Sequence, residues 1–148
     1  MVLSYDTKSK GKMKLKLGED ADASSIYDLA LIASSDETVP EMFADMGENL
    51  IESVNDGNVN DQIVICYANE ELIGLLDFNN EKNYLKINSL YVRKDYRREG
   101  VASALVKALD TLVTRDKSLR VSAVTEEGVK FWMNMGYKVL YWEMEKDV

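Results

Sequence analysis

The residues best suited to chemistry lie in one short run, Arg97-Arg98-Glu99-Gly100-Val101-Ala102-Ser103, between an apolar stretch ending at Val92 and a helical apolar pattern that begins at Val101. The first backbone N–H groups of a helix have no partners within it, and the aligned peptide dipoles make that end positive. Such an end accepts anions, phosphates above all. Gly100 and Ala102 leave little side chain in front of the backbone, while Arg97 and Arg98 add charge and paired donors. The run is basic within an acidic chain, in which 18 Lys and Arg stand against 26 Asp and Glu for a net charge of −8. A diphosphate suits this turn. The P-loop pattern GxxxxGK[ST] and the dinucleotide pattern GxGxxG are both absent.

Other chemistries are excluded by what the chain lacks. It contains no histidine, so a Ser-His-Asp triad, a histidine metal site or an imidazole base cannot operate. Cys66 is the one cysteine, which rules out an intrachain disulfide or a zinc ribbon, and with no Lys or Arg beside it in sequence it reads as core packing. The charge of −8 repels nucleic acid and favours a cationic partner. With 148 residues, 46% apolar and 30% charged, the chain fits one globular domain over residues 1–148. No apolar run approaches the roughly 18 residues of a membrane span, and Met1 to Asp6 do not form an export signal. A soluble, cytoplasmic protein, without membrane or nucleic-acid partners, is expected.

The elements that must position the basic turn are legible from periodicity. Lys12 to Leu17 alternates Met13, Leu15 and Leu17 with three lysines, predicting a strand at a sheet edge. A helix is expected from about Asp22 to Ser24, carrying Ile26, Leu29, Ala30 and Ile32 inward. A second helix opens with the capping-box pair Thr38 and Glu41 and runs to Val54. Gln62–Ala68, Leu72–Phe78 and Tyr84–Val92 are β-rich runs separated by polar turns, predicting a three-strand meander. A helix from Val101, a strand at Leu119–Val124, a helix from Glu126 to Met135 closed by Gly136, and terminal strand material at Tyr137–Glu145 complete the order. The class is α/β (α+β): a mixed, mostly antiparallel sheet, with a helical crossover after Gly100 making one pair parallel.

With those elements in place, the chain resembles the GNAT superfamily of N-acetyltransferases. The family's Arg/Gln-x-x-Gly-x-Gly/Ala turn after a strand ending apolar-x-Val matches Leu90-Tyr91-Val92 followed by Arg97 to Ala102. Its aromatic-rich helix ending in Gly-aromatic matches Phe131-Trp132-Met133-Asn134-Met135-Gly136-Tyr137. The order of elements agrees over nearly the whole chain. The resemblance implies a GNAT-like fold with two splayed strands that admit the pantetheine arm of acetyl-CoA. It implies that Leu90, Tyr91 and Val92 bond the pantetheine through backbone groups. Arg97, Arg98, Glu99, Gly100, Val101, Ala102 and Ser103 would hold the diphosphate, Thr125 would contact the cofactor where relatives carry Asn, and Trp132 would pack against it. The implied activity is acetyl transfer to a primary amine of a small molecule or protein, without a metal. The helices before the meander would wall the acceptor side, with Glu41, Asp45 and Glu48 as acidic contacts.

The chemistry needs more than the cofactor. A free amine of pKa about 10.4 is neutral only about once in 2,500 molecules at pH 7, so a base or a desolvating site must assist. The backbone N–H of Leu90 is the family-like oxyanion donor. Relatives often supply the thiol proton from a tyrosine at the position of Trp132, whose indole cannot do so. Tyr141 or Tyr137 could provide a phenol instead. Glu126, Glu127, Asp77 or Glu81 could reach the amine through water. The alternative reading is an acyl-CoA-binding regulatory or interaction protein with weak or no catalysis. The short segment after Gly136 leaves little room for two closing strands, which opens the way to strand exchange in a homodimer.

Overall fold

The computed structural model describes residues 1–38, 62–113, 117–123 and 126–147. Six strands form one sheet in the order β1 to β6: Leu3–Asp6, Lys12–Leu17, Ile63–Ala68, Glu71–Asn80, Tyr84–Val92 and Ser118–Val121. The first four neighbouring pairs are antiparallel, and β5 and β6 are parallel. Three helices are described, α1 (Ala23–Ser34), α2 (Val101–Leu112) and α3 (Glu126–Asn134). No helix among the described residues is long and apolar enough to cross a membrane.

The alternation of side chains along the strands divides the core between the two faces of the sheet. Ile63, Ile65, Leu72, Leu75 and Tyr91 pack with Ile26, Leu29, Ala30 and Ala33 of α1. On the other face Val64, Cys66, Ile73, Leu76 and Leu90 meet Val101, Leu105 and Leu109 of α2 and Trp132 of α3. Leu105 is fully buried, so its truncation to Ala would cost about 2–5 kcal/mol. Asn69 and Glu70 both adopt positive φ, 52° and 65°, the geometry of a two-residue hairpin turn whose twist matches β3 and β4.

The meander, the crossover helix and the parallel pair follow the sequence pattern. Three expectations change. The lysine-lined strand is not an edge, because Leu3–Asp6 pairs along it from Leu3 opposite Leu15 to Asp6 opposite Lys12. In α1 the inward residue is Ala33 rather than Ile32, which is 39% exposed, since Ile26, Leu29, Ala30 and Ala33 keep the i, i+3, i+4, i+7 spacing of one helix face and Ile32 falls off it. Residues 137–147 form no strand, and Leu140, Tyr141, Trp142 and Met144 are exposed. β-propensity makes a strand only where an edge pairs with it. The helix expected from Thr38 to Val54, with Glu41, Asp45 and Glu48, lies outside the described residues except for Thr38 itself.

Candidate active site

β6 keeps register with β5 only from Tyr84 opposite Ser118 to Ile87 opposite Val121. Just beyond, the pairing of β4 with β5 jumps from Phe78–Ile87 to Asp77–Ser89, so Asn88 is an extra residue in β5. A bulge bends its strand and ends pairing on the free side. Among the described residues the pairing of β6 with β5 ends beside the bulge, while β5 continues to Val92.

Backbone parity says which groups face the opening. Arg93 N–H donates to Ile73 C=O across the β4 side at 2.8 Å. Because alternate residues of an antiparallel strand point their polar groups to opposite sides, Tyr91 also faces β4, and Leu90 and Val92 face away from it. The Val92 carbonyl already accepts from Arg97 Nε at 3.1 Å. Among the described residues, Leu90 N–H, Leu90 C=O and Val92 N–H have no strand partner on that side and could meet a ligand lying along this edge.

The opening leads to the basic turn. After Val92 the chain passes through the short 3-10 turn Lys94–Tyr96, with Tyr96 buried, and enters α2 at Gly100. Arg98 and Gly100 both have left-handed backbone, φ 62° and 86°. Such an alternation turns successive N–H groups toward one concavity. Gly100 caps α2 without a side-chain hydrogen bond, so the N–H groups of Val101, Ala102 and Ser103 have no side-chain cap. A Cβ built on Gly100 meets nothing within 4 Å, so the space beside this residue is open. The residues fit an anionic, phosphate-bearing ligand.

The two arginines have different duties. Arg98 is exposed, and its guanidinium is available to a phosphate. Arg97 is engaged within the protein, with Nη2 donating to Asp36 Oδ2 at 2.7 Å and Nη1 bonding the Thr38 hydroxyl. Tyr91 donates its phenol to the same Asp36 oxygen at 2.7 Å. Hydrogen bonds from Thr38, then from Tyr91, and the charge of Arg97 hold the Asp36 carboxyl well below the usual carboxylate range, against the opposing effect of burial. Arg97 thus ties the turn to the end of α1. Glu99 is buried and its carboxylate bonds Ser9, so its side chain too faces the protein.

The proton-handling candidates separate. Tyr141 is 74% exposed in the segment that forms no strand. Trp132 is 3% exposed, edge-on to Phe131 and Tyr137 with ring centroids 5.0 and 5.1 Å away. The core uses this indole as packing. Burial, then the charge of Asp110, pushes the Tyr137 phenol up to about 12, and its oxygen has no partner. Thr125 lies outside the described residues. Glu126, Glu127 and Glu81 are exposed.

Asp77 is different. It sits opposite Ser89 at the bulge, with Oδ1 closed from solvent and without a partner. Burial pushes its carboxyl up to about 6, against hydrogen bonds from Ser89 and Asn88. Its only sequence signal is a lone carboxylate in the apolar run Leu72-Ile73-Gly74-Leu75-Leu76-Asp77-Phe78.

Comparison with known proteins agrees with this geometry. Residues 30–147 match the model of the acetyltransferase (GNAT) domain, so the chain belongs to the GNAT acetyltransferase family. The fold is shared with ribosomal-protein-alanine N-acetyltransferase from Brucella melitensis biovar Abortus 2308, at TM-score 0.63 and 16% identity over 92% of this chain and 99% of that one. It is also shared with the aminoglycoside N-acetyltransferase AAC(6')-Iy solved with CoA, at TM-score 0.67 and 13% identity over 99% and 96% of the two chains. A third structure, an aminoglycoside acetyltransferase from an uncultured soil metagenomic sample, aligns at TM-score 0.62 and 20% identity over 91% and 99%. No curated protein matches in sequence. Family membership makes the chain an acyltransferase by class.

Proposed function

We propose that the protein transfers an acetyl group from acetyl-CoA to a primary amine of a small molecule or a protein. The observation that carries this reading is the edge of β5 from Asn88 to Val92, unpaired on that side among the described residues, which runs directly into the left-handed turn at Arg98 and Gly100. A pantetheine arm fits such an edge as a missing strand does, and a diphosphate fits the amides of the turn. A relative of the same fold was solved with CoA.

Acetyl-CoA would supply an activated acetyl thioester, and this chain's residues would do the rest. Arg98 and the amides from Arg98 to Ser103 bind the diphosphate. Leu90 N–H donates to the thioester oxygen as it gains negative charge, and a preorganised donor of this kind is worth about 3–4 kcal/mol in barrier height. Asp77 accepts the amine proton through water, and a carboxylate pushed up to about 6 is ionised at neutral pH yet a stronger base than a solvated one. The leaving thiolate departs without a dedicated acid, because it is a far better leaving group than an amine. The charge of −8 raises the local concentration of cationic amines. The protein acts in the cytoplasm.

A second reading, a CoA-binding protein with weak catalysis, is favoured by one observation: Trp132 is sealed in the core while Tyr141 points to solvent. Calorimetric titration with acetyl-CoA, followed by thiol release with spermidine, aminoglycosides and lysine peptides, separates the two. Binding with turnover on one amine supports the transferase. Binding without turnover on any amine supports the second reading, and no binding at near-millimolar acetyl-CoA removes both.

A further inference from the structure

The β1–β2 hairpin ends in the turn Thr7-Lys8-Ser9-Lys10-Gly11, which closes on itself. Thr7 N–H and Oγ1 donate to Gly11 C=O at 2.8 and 2.6 Å, and Lys10 N–H donates to Thr7 Oγ1 at 2.8 Å. This turn fastens both ends of the Asp95–Glu99 loop. Ser9 N–H donates to Glu99 Oε2 at 3.1 Å, the Ser9 hydroxyl bonds Glu99 Oε1, and Lys8 N–H donates to Glu99 C=O at 3.2 Å. At the other end Lys10 Nζ donates to Asp95 C=O at 2.5 Å and lies 4.7 Å from the centre of the Tyr96 ring.

Glu99 is only 6% exposed, so its carboxylate depends on these donors. It stands directly between Arg98 and Gly100, the two left-handed residues of the turn. For a side chain such as that of Arg98 this backbone is unfavourable and persists only when its surroundings impose it. A carboxylate gripped at the intervening residue is such an imposition.

We infer that Ser9, acting through Glu99, is a positioning residue that holds the Arg98–Gly100 turn in the shape that binds the diphosphate. The inference rests on the reading of that turn as the CoA phosphate site. Ser9 touches no ligand in this account. Its loss should weaken only ligands that carry the diphosphate.

The test compares wild type, Ser9→Ala and Ser9→Thr for binding of acetyl-CoA and of S-acetyl-pantetheine, which has the thioester arm without the phosphates. Ser9→Ala should weaken acetyl-CoA about tenfold, as expected on losing one charge-assisted hydrogen bond, and change S-acetyl-pantetheine less than about twofold. Ser9→Thr should restore acetyl-CoA. With an acceptor in hand, KM for acetyl-CoA should rise while kcat at saturation holds. Should Ser9→Ala fold poorly, Lys10→Met loosens the other end of the same loop and should give the same split between the two thioesters. Equal weakening of both, or unchanged acetyl-CoA affinity in both variants, overturns the inference. Wild type that fails to bind acetyl-CoA overturns the phosphate-site reading as well, and so is told apart from failure of the positioning role alone.

Discussion

Arg97 donates to Asp36 at 2.7 Å across 61 residues of sequence, and the same carboxylate oxygen accepts the phenol of Tyr91. Three parts of the molecule meet there: the end of α1, the end of β5 and the turn that enters α2. The arginine that matches the family motif therefore holds the site's frame together, while Arg98 faces outward.

Asp36→Asn should therefore loosen that frame. The Asp36 carboxyl is held below its unfolded value, so its contribution is complete above about pH 4 and is lost as pH falls through the folded value. Chemical denaturation at pH 7 should show a loss of about 1–3 kcal/mol in Asp36→Asn, narrowing below pH 4. A constant difference across that range would mean the carboxylate's charge is not what matters.

Asp77 gives the opposite sign. Its carboxyl is raised to about 6, so its contribution to stability is greatest below about pH 4 and declines as pH rises through 6. Asp77→Asn should be more stable than wild type at pH 8 by about 2–3 kcal/mol, and should gain less at pH 4. The rate of acetyl transfer under limiting amine should climb through about pH 6 in wild type and lose that limb in the variant. A pH profile left unchanged by the substitution removes Asp77 as the base.

Gly74 lies under the first turn of α2. A Cβ there would come within 3.1 Å of Tyr91 C=O and 3.2 Å of both Val101 and Leu105. The carbonyl belongs to a paired strand, so Gly74→Ala crowds β5 on one side and the Val101 and Leu105 side chains of α2 on the other. A loss of about 1–3 kcal/mol is expected, with weaker acetyl-CoA binding because the α2 amides move. Thermal melting and calorimetry on the same variant check both effects.

Cys66 is fully buried, and burial pushes its thiol up to about 12. It should resist alkylation by iodoacetamide at pH 8 and react only at the rate of unfolding, as mass spectrometry across a denaturant series would show.

The turn into α2 is legible because its signals are local: a glycine before a helical repeat, with arginines beside it. The meander was legible for the same reason. β1 was not, since Leu3-Ser4-Tyr5-Asp6 is too short to show a period and exists as a strand through its pairing with Lys12–Leu17. The turn carrying Ser9 meets Glu99 across 90 residues of sequence, a separation that no local pattern reveals. The terminal segment misled in the other direction, because Val139 to Met144 has strand composition without an edge to pair with. The bond between Arg97 and Asp36 spans 61 residues and leaves no local pattern in the sequence.

The account stands on the amides of one turn and one strand edge. Backbone NMR during titration with acetyl-CoA reads them individually. The N–H signals of Arg98 to Ser103, with Leu90 and Val92, should move together and saturate at one stoichiometric equivalent. Signals that stay still while others move, or a spectrum unchanged at near-millimolar acetyl-CoA, would contradict it.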